Sequence, residues 1–299
     1  MYENILENLD PFYLEHAVQY FSIMWARQEP PSALLFSMAD KEEVEFSLHI
    51  QPAVWTDSRI LKSRIDVMKR RLNSRCKGLI EIREYRTHGS WHWQSLLQIP
   101  TVQYLHKTVK DYIEKPAVQN SLSKGLTTPL DPHIQLCSAF LGVSRVMSMQ
   151  DELSDMLSMT VAQCMRHAAR VSSTYFPTML LLLDKLRDQL EAPKLKKWFS
   201  SEKHFRKTAR YERRCQSAEE GGGDDDPTSK LGVFGNTFLS LAIKYEVVEY
   251  VTARLASHLA QFDEETTVPL LHSATSTIKT ITWWLPSFWP RGQLISEML

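Results

Sequence analysis

The sequence predicts a mainly α-helical fold with one small β-hairpin. Through most of the 299 residues, apolar side chains recur at intervals of three and four, which is the spacing of one buried helix face. The period changes between residues 79 and 106, where two alternating segments flank a polar loop and indicate two paired strands. A chain of this length predicts two domains, each large enough to bury its own core.

Three helices are expected in the N-terminal part. Asp10 can cap a helix that starts at Pro11 and stops before the proline pair at 30–31. A second helix is predicted within residues 30–43. A third is predicted within residues 57–78, where Gly78 can terminate it.

Residues 57–120 follow the order helix, strand, loop, strand, helix. The strands are "GLIEIRE" and "TVQYLH", and the last helix lies in "KTVKDYIEK". This order is compatible with a winged-helix-like unit, in which a small hairpin packs beside two helices. We therefore predict an N-terminal helical and winged-helix-like domain over residues 1–122.

The rest of the chain, residues 123–299, is predicted to be a helical array. Three apolar-periodic segments lie between residues 133 and 191. The stretch of about 216–230 contains three glycines and three aspartates and predicts a mobile acidic loop.

A helix pair is expected after that loop, with one helix from Thr237 to Ile243 and another from Val247 to Leu255. The stretch resembles the core of an ankyrin repeat, although Phe238 and Ser240 replace the usual proline and histidine. "TVPLLHSATS" and the terminal "QLISEML" resemble parts of a second unit. Because such units are stabilised by stacking, we expect the natural array to continue or the sequence to be truncated.

Composition excludes several classes of protein. The chain has 35 basic and 35 acidic side chains, so it gives no general reason to expect nucleic acid or a membrane surface as partner. Its four cysteines are far apart and no apolar run approaches the roughly 20 residues of a membrane span. We expect a cytoplasmic protein with reduced thiols.

Catalytic motifs are missing from the sequence. No G-x-x-x-x-G-K-[ST] motif occurs, so neither an independent NTPase activity nor a cofactor is expected. Ser90 lies near two histidines in "THGSWHWQS", but no nucleophile elbow accompanies them. Cys164 and His167 are one helical turn apart and are too few for a metal site, which favours a buried cysteine and a surface histidine.

Residues 10–120 support a family comparison. "RRLNSRCKGLIEI" and "VQYLHKTVKDYIE" resemble the segment that follows the NACHT NTPase core in filamentous-fungal proteins related to NOD-like receptors. The resemblance implies a regulatory domain between a nucleotide-binding core and a ligand-sensing repeat region. It also implies an intracellular role in non-self recognition or cell death, with ADP or ATP bound only where an upstream core is present.

In such signalling ATPases a strand-end histidine of the winged-helix domain contacts the phosphates of ADP. His106 matches that position, and Lys107 adds positive charge beside it. The alternative is that His106 caps the helix that follows or bonds a nearby carbonyl.

The third helix carries a basic run that has three interpretations. It can be an ordinary solvated face, a docking surface for an acidic NTPase core, or the recognition helix of a nucleic-acid-binding winged helix. The residues are Lys62, Arg64, Lys69, Arg70, Arg71, Arg75 and Lys77.

Four aromatic residues near the C-terminus are candidate anchors for a protein partner: Trp283, Trp284, Phe288 and Trp289. The alternative is a small satellite core under a loop.

Overall fold

The computed structural model describes residues 2–27, 30–40, 43–51, 58–83, 100–124, 126, 130–148, 154–199 and 237–259. The chain divides into two compact units, Met1–Gly223 and Asp224–Leu299. The predicted acidic loop at 216–230, the loop around Ser90 and the second ankyrin-like stretch lie outside the described residues.

The helices of the first unit are α1 (Tyr2–Glu7), α2 (Pro11–Ala26), α3 (Ala33–Ala39), α4 (Ser58–Cys76), α5 (Lys107–Ile113), α6 (Pro116–Ser123), α7 (Pro132–Met147), α8 (Ser154–Ala168), α9 (Phe176–Glu191) and α10 (Pro193–Phe199). Its strands are β1 (Ile80–Arg83) and β2 (Thr101–Tyr104), and short 3₁₀ helices span Val44–His49 and Ser173–Tyr175. The second unit contains α11 (Phe238–Lys244) and α12 (Val248–Leu259). The fold is therefore mainly helical with a small two-stranded hairpin, which confirms the predicted class. Within the described ranges, no helix is long and apolar enough to cross a membrane.

Helix α2 begins where its sequence signals predicted. Asp10 lies at the N-cap, where its carboxylate accepts a hydrogen bond from the Phe12 amide at 2.9 Å, and Pro11 occupies the first turn. Helix α3 is capped in the same way by Ser32, whose hydroxyl accepts from the Leu35 amide. Both caps satisfy amide groups that have no partner within the helix.

The core of the first unit is centred on α3 and α7. Every residue of α3 is buried, and α3 packs against both α4 and α7. Helix α7 in turn packs on α2, α8, α9 and the first 3₁₀ helix. These contacts run across residue 122, so the predicted boundary between residues 122 and 123 lies inside one compact unit. The predicted division does not match the units because helices on both of its sides share a core.

The hairpin follows α4 directly. Gly78 has φ +77° and Lys77 has φ +50°, and this left-handed turn ends the helix and returns the chain as β1. Strands β1 and β2 are antiparallel, with Ile80 opposite Tyr104 and Arg83 opposite Thr101. The predicted helix–strand–strand–helix order is therefore present, and β2 leads to α5 through Leu105 and His106.

The second unit contains the predicted helix pair. The Thr237 hydroxyl accepts a hydrogen bond from the Ser240 amide and caps α11. Glu246 adopts φ +58° in the tight turn, and the rings of Phe238 and Tyr250 pack edge to face between the two helices. A helix–turn–helix pair is thus observed, while its kinship with ankyrin repeats stays a prediction.

Candidate functional site

His106 lies between β2 and α5, is exposed, and caps α5. Its Nδ1 accepts a hydrogen bond from the Thr108 amide at 3.2 Å and lies 2.9 Å from the Thr108 hydroxyl. The capping role weighed from the sequence is therefore present. It does not by itself exclude a second role, because a histidine ring has two nitrogens.

The cap also determines the tautomer of His106. An amide can only donate, so Nδ1 must be an acceptor and a neutral ring carries its proton on Nε2. The Tyr2 hydroxyl lies 2.6 Å from that of Thr108. Either hydroxyl of the Tyr2–Thr108 pair can be the donor. Among the described residues, none accepts a hydrogen bond from Nε2–H of His106.

Two cations lie beside this histidine. Lys107 is exposed at the first position of α5. Arg83, at the end of β1, donates from Nη2 to the Leu105 carbonyl at 2.8 Å and also pairs with Glu81. The His106 cluster, defined as His106, Lys107 and Arg83, combines one N–H donor with the exposed Lys107 and with an Arg83 whose charge is paired with Glu81. Sequence reasoning missed Arg83 because it lies opposite Thr101, at the end of the hairpin far from α5, and only its long side chain extends back along the sheet to the Leu105 carbonyl.

The basic run on α4 is divided between the surface and the interior. Lys62, Lys69, Arg70 and Lys77 are exposed, whereas Arg64 is half-buried and desolvation lowers its pKa. On the opposite side Met68, Leu72 and Cys76 are buried. The exposed four form the α4 basic face.

Arg71 and Arg75 are committed to an interior carboxylate. Asp40, whose side chain is 1% exposed, accepts from Arg75 Nη1 at 2.9 Å and from Arg71. Tyr20 donates its hydroxyl to the same carboxylate, and burial followed by the Asp40 charge raises the pKa of Tyr20. This buried cluster joins α2, α3 and α4. Of these two arginines, the Arg75 side chain is 15% exposed and the Arg71 side chain 42% exposed.

A cleft opens between α7, α8 and the segment that joins α2 to α3. Its volume is about 210 Å³, and both helices present a stripe of apolar residues to it. The half-buried Arg27 and Gln163 lie among its polar lining groups. No feature of the sequence distinguished this cleft, because its walls come from three separate segments.

Helices α7 and α8 also bring two pairs of chemically active side chains together. Cys137 and Cys164 are buried with their sulfurs 3.5 Å apart, and Nδ1 of His133 lies 3.0 Å from Nδ1 of His167. The prediction of a buried Cys164 is confirmed. The prediction of a surface His167 is wrong, because its ring stacks on Phe140 and only 2% of the residue is exposed.

Burial determines the charge of this histidine pair. Desolvation, followed by the nearby His133 and arginine charges, lowers the pKa of His167 to about 3. Desolvation also lowers the pKa of His133, although Asp131 opposes the change. Both rings are therefore neutral near pH 7, with one donating to the other. No group of three or more His, Cys, Asp or Glu side chains in the described part of the chain could hold a metal ion.

The predicted aromatic anchors Trp283, Trp284, Phe288 and Trp289 lie outside the described residues. The described site therefore consists of the His106 cluster, the α4 basic face and the cleft, all within the first unit.

Residues 8–156, just under half of the chain, match a family model described as a domain of unknown function (DUF7791). The matched segment extends from the end of α1 into α8, so it includes the His106 cluster and the α4 basic face. No curated protein and no solved structure matches the chain. The family description assigns no chemistry to these residues.

Proposed function

We propose that this chain is a non-catalytic regulatory and interaction region of a fungal signalling protein of the NOD-like receptor type. It acts inside the cell, in non-self recognition or cell-death control. Residues of the winged-helix-like part, within residues 1–122, dock on a nucleotide-binding core. The helical part, residues 123–299, contacts protein partners. The observation that carries the proposal is the position of His106, which is exposed at the junction of β2 and α5, uses Nδ1 to cap α5 and is followed by the exposed Lys107.

The chemistry of this cluster suits a phosphate oxygen of bound ADP. An imidazole N–H that is held in one tautomer donates to an anionic acceptor, and the charge of the neighbouring Lys107 strengthens that bond. Lys107 and Arg83 are both exposed, so contact with a phosphate requires neither side chain to move out of the protein interior. The cluster supplies no catalytic group, so nucleotide turnover would belong to the core and the cluster would hold its closed state.

The α4 basic face supports docking against an acidic surface of that core. Lys62, Lys69, Arg70 and Lys77 remain exposed while the opposite side of α4 is buried. Long-range attraction from such a face raises the rate and specificity of docking more than its affinity. Nucleic-acid binding remains the alternative. The Arg75 side chain is only 15% exposed and binds Asp40, whereas the Arg71 side chain also binds Asp40 but is 42% exposed.

Two substitutions separate nucleotide contact from helix capping. His106→Asn keeps a side-chain oxygen that can cap α5, whereas His106→Ala removes both the cap and the ring. The test uses the longer protein that contains the nucleotide-binding core. Its sequence is obtained by mapping both ends of the transcript that encodes this chain. We expect both variants to release ADP faster than wild type, with unchanged thermal stability for His106→Asn.

The opposite results would refute the proposal. Wild-type ADP retention in both variants, or a defect in His106→Ala alone, would leave His106 as a helix cap only. A transcript that encodes no phosphate-binding loop would remove the nucleotide partner.

For the alternative function, salt-sensitive retention on duplex DNA is the expected signature, and its absence at low salt would eliminate that function.

A further inference from the structure

The cleft in the first unit has the composition of a binding site for a small amphiphile. Its walls include Met147 from α7 and Met156 and Met159 from α8. Methionine side chains are flexible and polarizable, so they adapt to apolar ligands of irregular shape. A volume of ≈ 210 Å³ exceeds the roughly 150 Å³ of an apolar cavity that binds benzene. The cleft can therefore hold a short alkyl chain with its head group.

Arg27 is the charged group of this cleft. Its Nε donates to the Met24 sulfur at 3.4 Å, and its guanidinium carbon lies 5.5 Å above the centre of the Tyr104 ring. Among the described residues it makes no ion pair with a carboxylate. Burial lowers its pKa, while the Tyr104 phenol and the Glu114 carboxylate act in the opposite direction. An arginine nevertheless keeps its charge, so the cleft contains a half-buried cation with unused donors.

Gln163 supplies a second polar group. It lies on the α8 stripe that faces the cleft, and its amide makes no hydrogen bond to the described part of the chain. The other polar lining groups are already engaged: the Thr160 hydroxyl donates to the Met156 carbonyl at 2.8 Å, and the Ser32 hydroxyl caps α3. His167 also lines the cleft, and its Nδ1 is paired with Nδ1 of His133 at 3.0 Å. The Arg27 guanidinium and the Gln163 amide are the groups that can meet a charged head group.

We propose that this cleft binds a small amphiphilic carboxylate, with the anionic head on Arg27 and Gln163 and the apolar tail against the methionine wall. A planar carboxylate matches the paired donors of one arginine. A more highly charged phosphate would require further cations, and Glu114 lies close enough to influence Arg27 and disfavour it. The inference is independent of the proposed nucleotide-linked function, since it uses neither the His106 cluster nor the α4 basic face.

Three probes of equal chain length test the head group: octanoate, octanol and octylammonium, titrated by calorimetry into the full chain near pH 7.5. Losing a charged hydrogen bond costs about tenfold or more in affinity. Octanoate should therefore bind at least about tenfold more tightly than octanol, and octylammonium should bind weakest. Methionine methyl NMR, assigned with single Met→Leu variants, should show octanoate-dependent shifts at Met147, Met156 and Met159.

Variants locate the anion. Arg27→Gln should weaken octanoate binding about tenfold and leave octanol binding unchanged. The octanoate affinity of Arg27→Lys should lie between those of Arg27→Gln and wild type, because lysine keeps the positive charge but lacks the paired donors of the guanidinium group. Lys185→Gln, which removes an exposed positive charge from α9, is the control and should bind as wild type does. Thermal unfolding of each variant verifies that it is folded.

Equal affinity for octanoate and octanol, or wild-type affinity in Arg27→Gln, would overturn the assignment of Arg27 as the anion-binding group. No binding of any probe, or binding without shifts at the three methionines, would overturn the cleft as the site.

Discussion

Replacing Asp40 by asparagine is expected to destabilise the first unit strongly, although the two side chains have nearly the same shape. The carboxylate is 1% exposed and receives hydrogen bonds from Tyr20, Arg71 and Arg75. Asparagine can still accept from Tyr20. It has no charge with which to balance the two guanidinium groups.

The magnitude follows from the exposure of each arginine. The Arg71 side chain is 42% exposed, so water can replace its partner and the loss there is about 1 kcal/mol or less. The Arg75 side chain is only 15% exposed, and a hydrogen bond to a charged group contributes about 1.5–3 kcal/mol. We therefore expect Asp40→Asn to lower the free energy of unfolding by about 3 kcal/mol. That is a large part of the roughly 5–15 kcal/mol of an ordinary domain.

Urea denaturation followed by far-ultraviolet circular dichroism measures this change. With a slope of about 3 kcal/mol per molar urea, the midpoint should fall by about 1 M. Asp66→Asn is the matched control, because Asp66 is an exposed carboxylate on α4, and it should change stability by about 0.5 kcal/mol or less. If Asp40→Asn shifts the midpoint no more than Asp66→Asn does, the buried cluster does not hold α2, α3 and α4 together.

Three further predictions concern the core of the first unit. Burial lowers the pKa of His167 to about 3. Below about pH 6.5 the unfolded chain therefore binds a proton at His167, whereas the folded chain does not. The free energy of unfolding should then fall by about 1.4 kcal/mol per pH unit as the pH drops towards 4. His167→Gln should flatten the curve of urea midpoint against pH. His49→Gln, at an exposed site, is the control and should leave that curve unchanged. Gly142→Ala should change the free energy of unfolding by less than about 1 kcal/mol, because the gain in helix propensity opposes the displacement of the Met38 sulfur, which would lie 2.9 Å from the new Cβ; a larger loss would show that the buried Met38 cannot move. Cys137 and Cys164 should resist alkylation until urea unfolds the chain, because both are buried and the hydrogen bond with Cys137, together with burial, raises the pKa of the Cys164 thiol. Peptide mass spectrometry of the native protein would contradict this if it found either cysteine fully labelled.

Much of the local structure could be predicted because its causes lie within a few residues of each other. Asp10 and Pro11 define the start of α2 whatever else surrounds the helix. Gly78 ends α4 because glycine accepts a left-handed backbone conformation at little cost. The helix pair beginning at Thr237 follows from one cap and one turn. The capping role of His106, one of two alternatives, is also a contact between near neighbours.

The partners of the candidate site could not be predicted in the same way. In the sequence, Arg71 and Arg75 belong to a basic run that can be a solvated face. No neighbouring residue indicates that Asp40, which is 31 positions from Arg71 and 35 from Arg75, lies close enough to bind them. Helical periodicity places a residue on one side of its own helix. It does not state which other segment covers that side.

The sequence by itself therefore determined the helical class, the position of the hairpin, the main helix ends and the histidine at the start of α5. Those features depend on caps, turns and periodicity, whose physical causes are local. Only the tertiary structure decided that helices on both sides of residue 122 share one core, that His167 is buried against Phe140, and that Arg27 and Gln163 line a common cleft. These features depend on which surfaces meet after the chain has folded, and long-range packing sets that outcome.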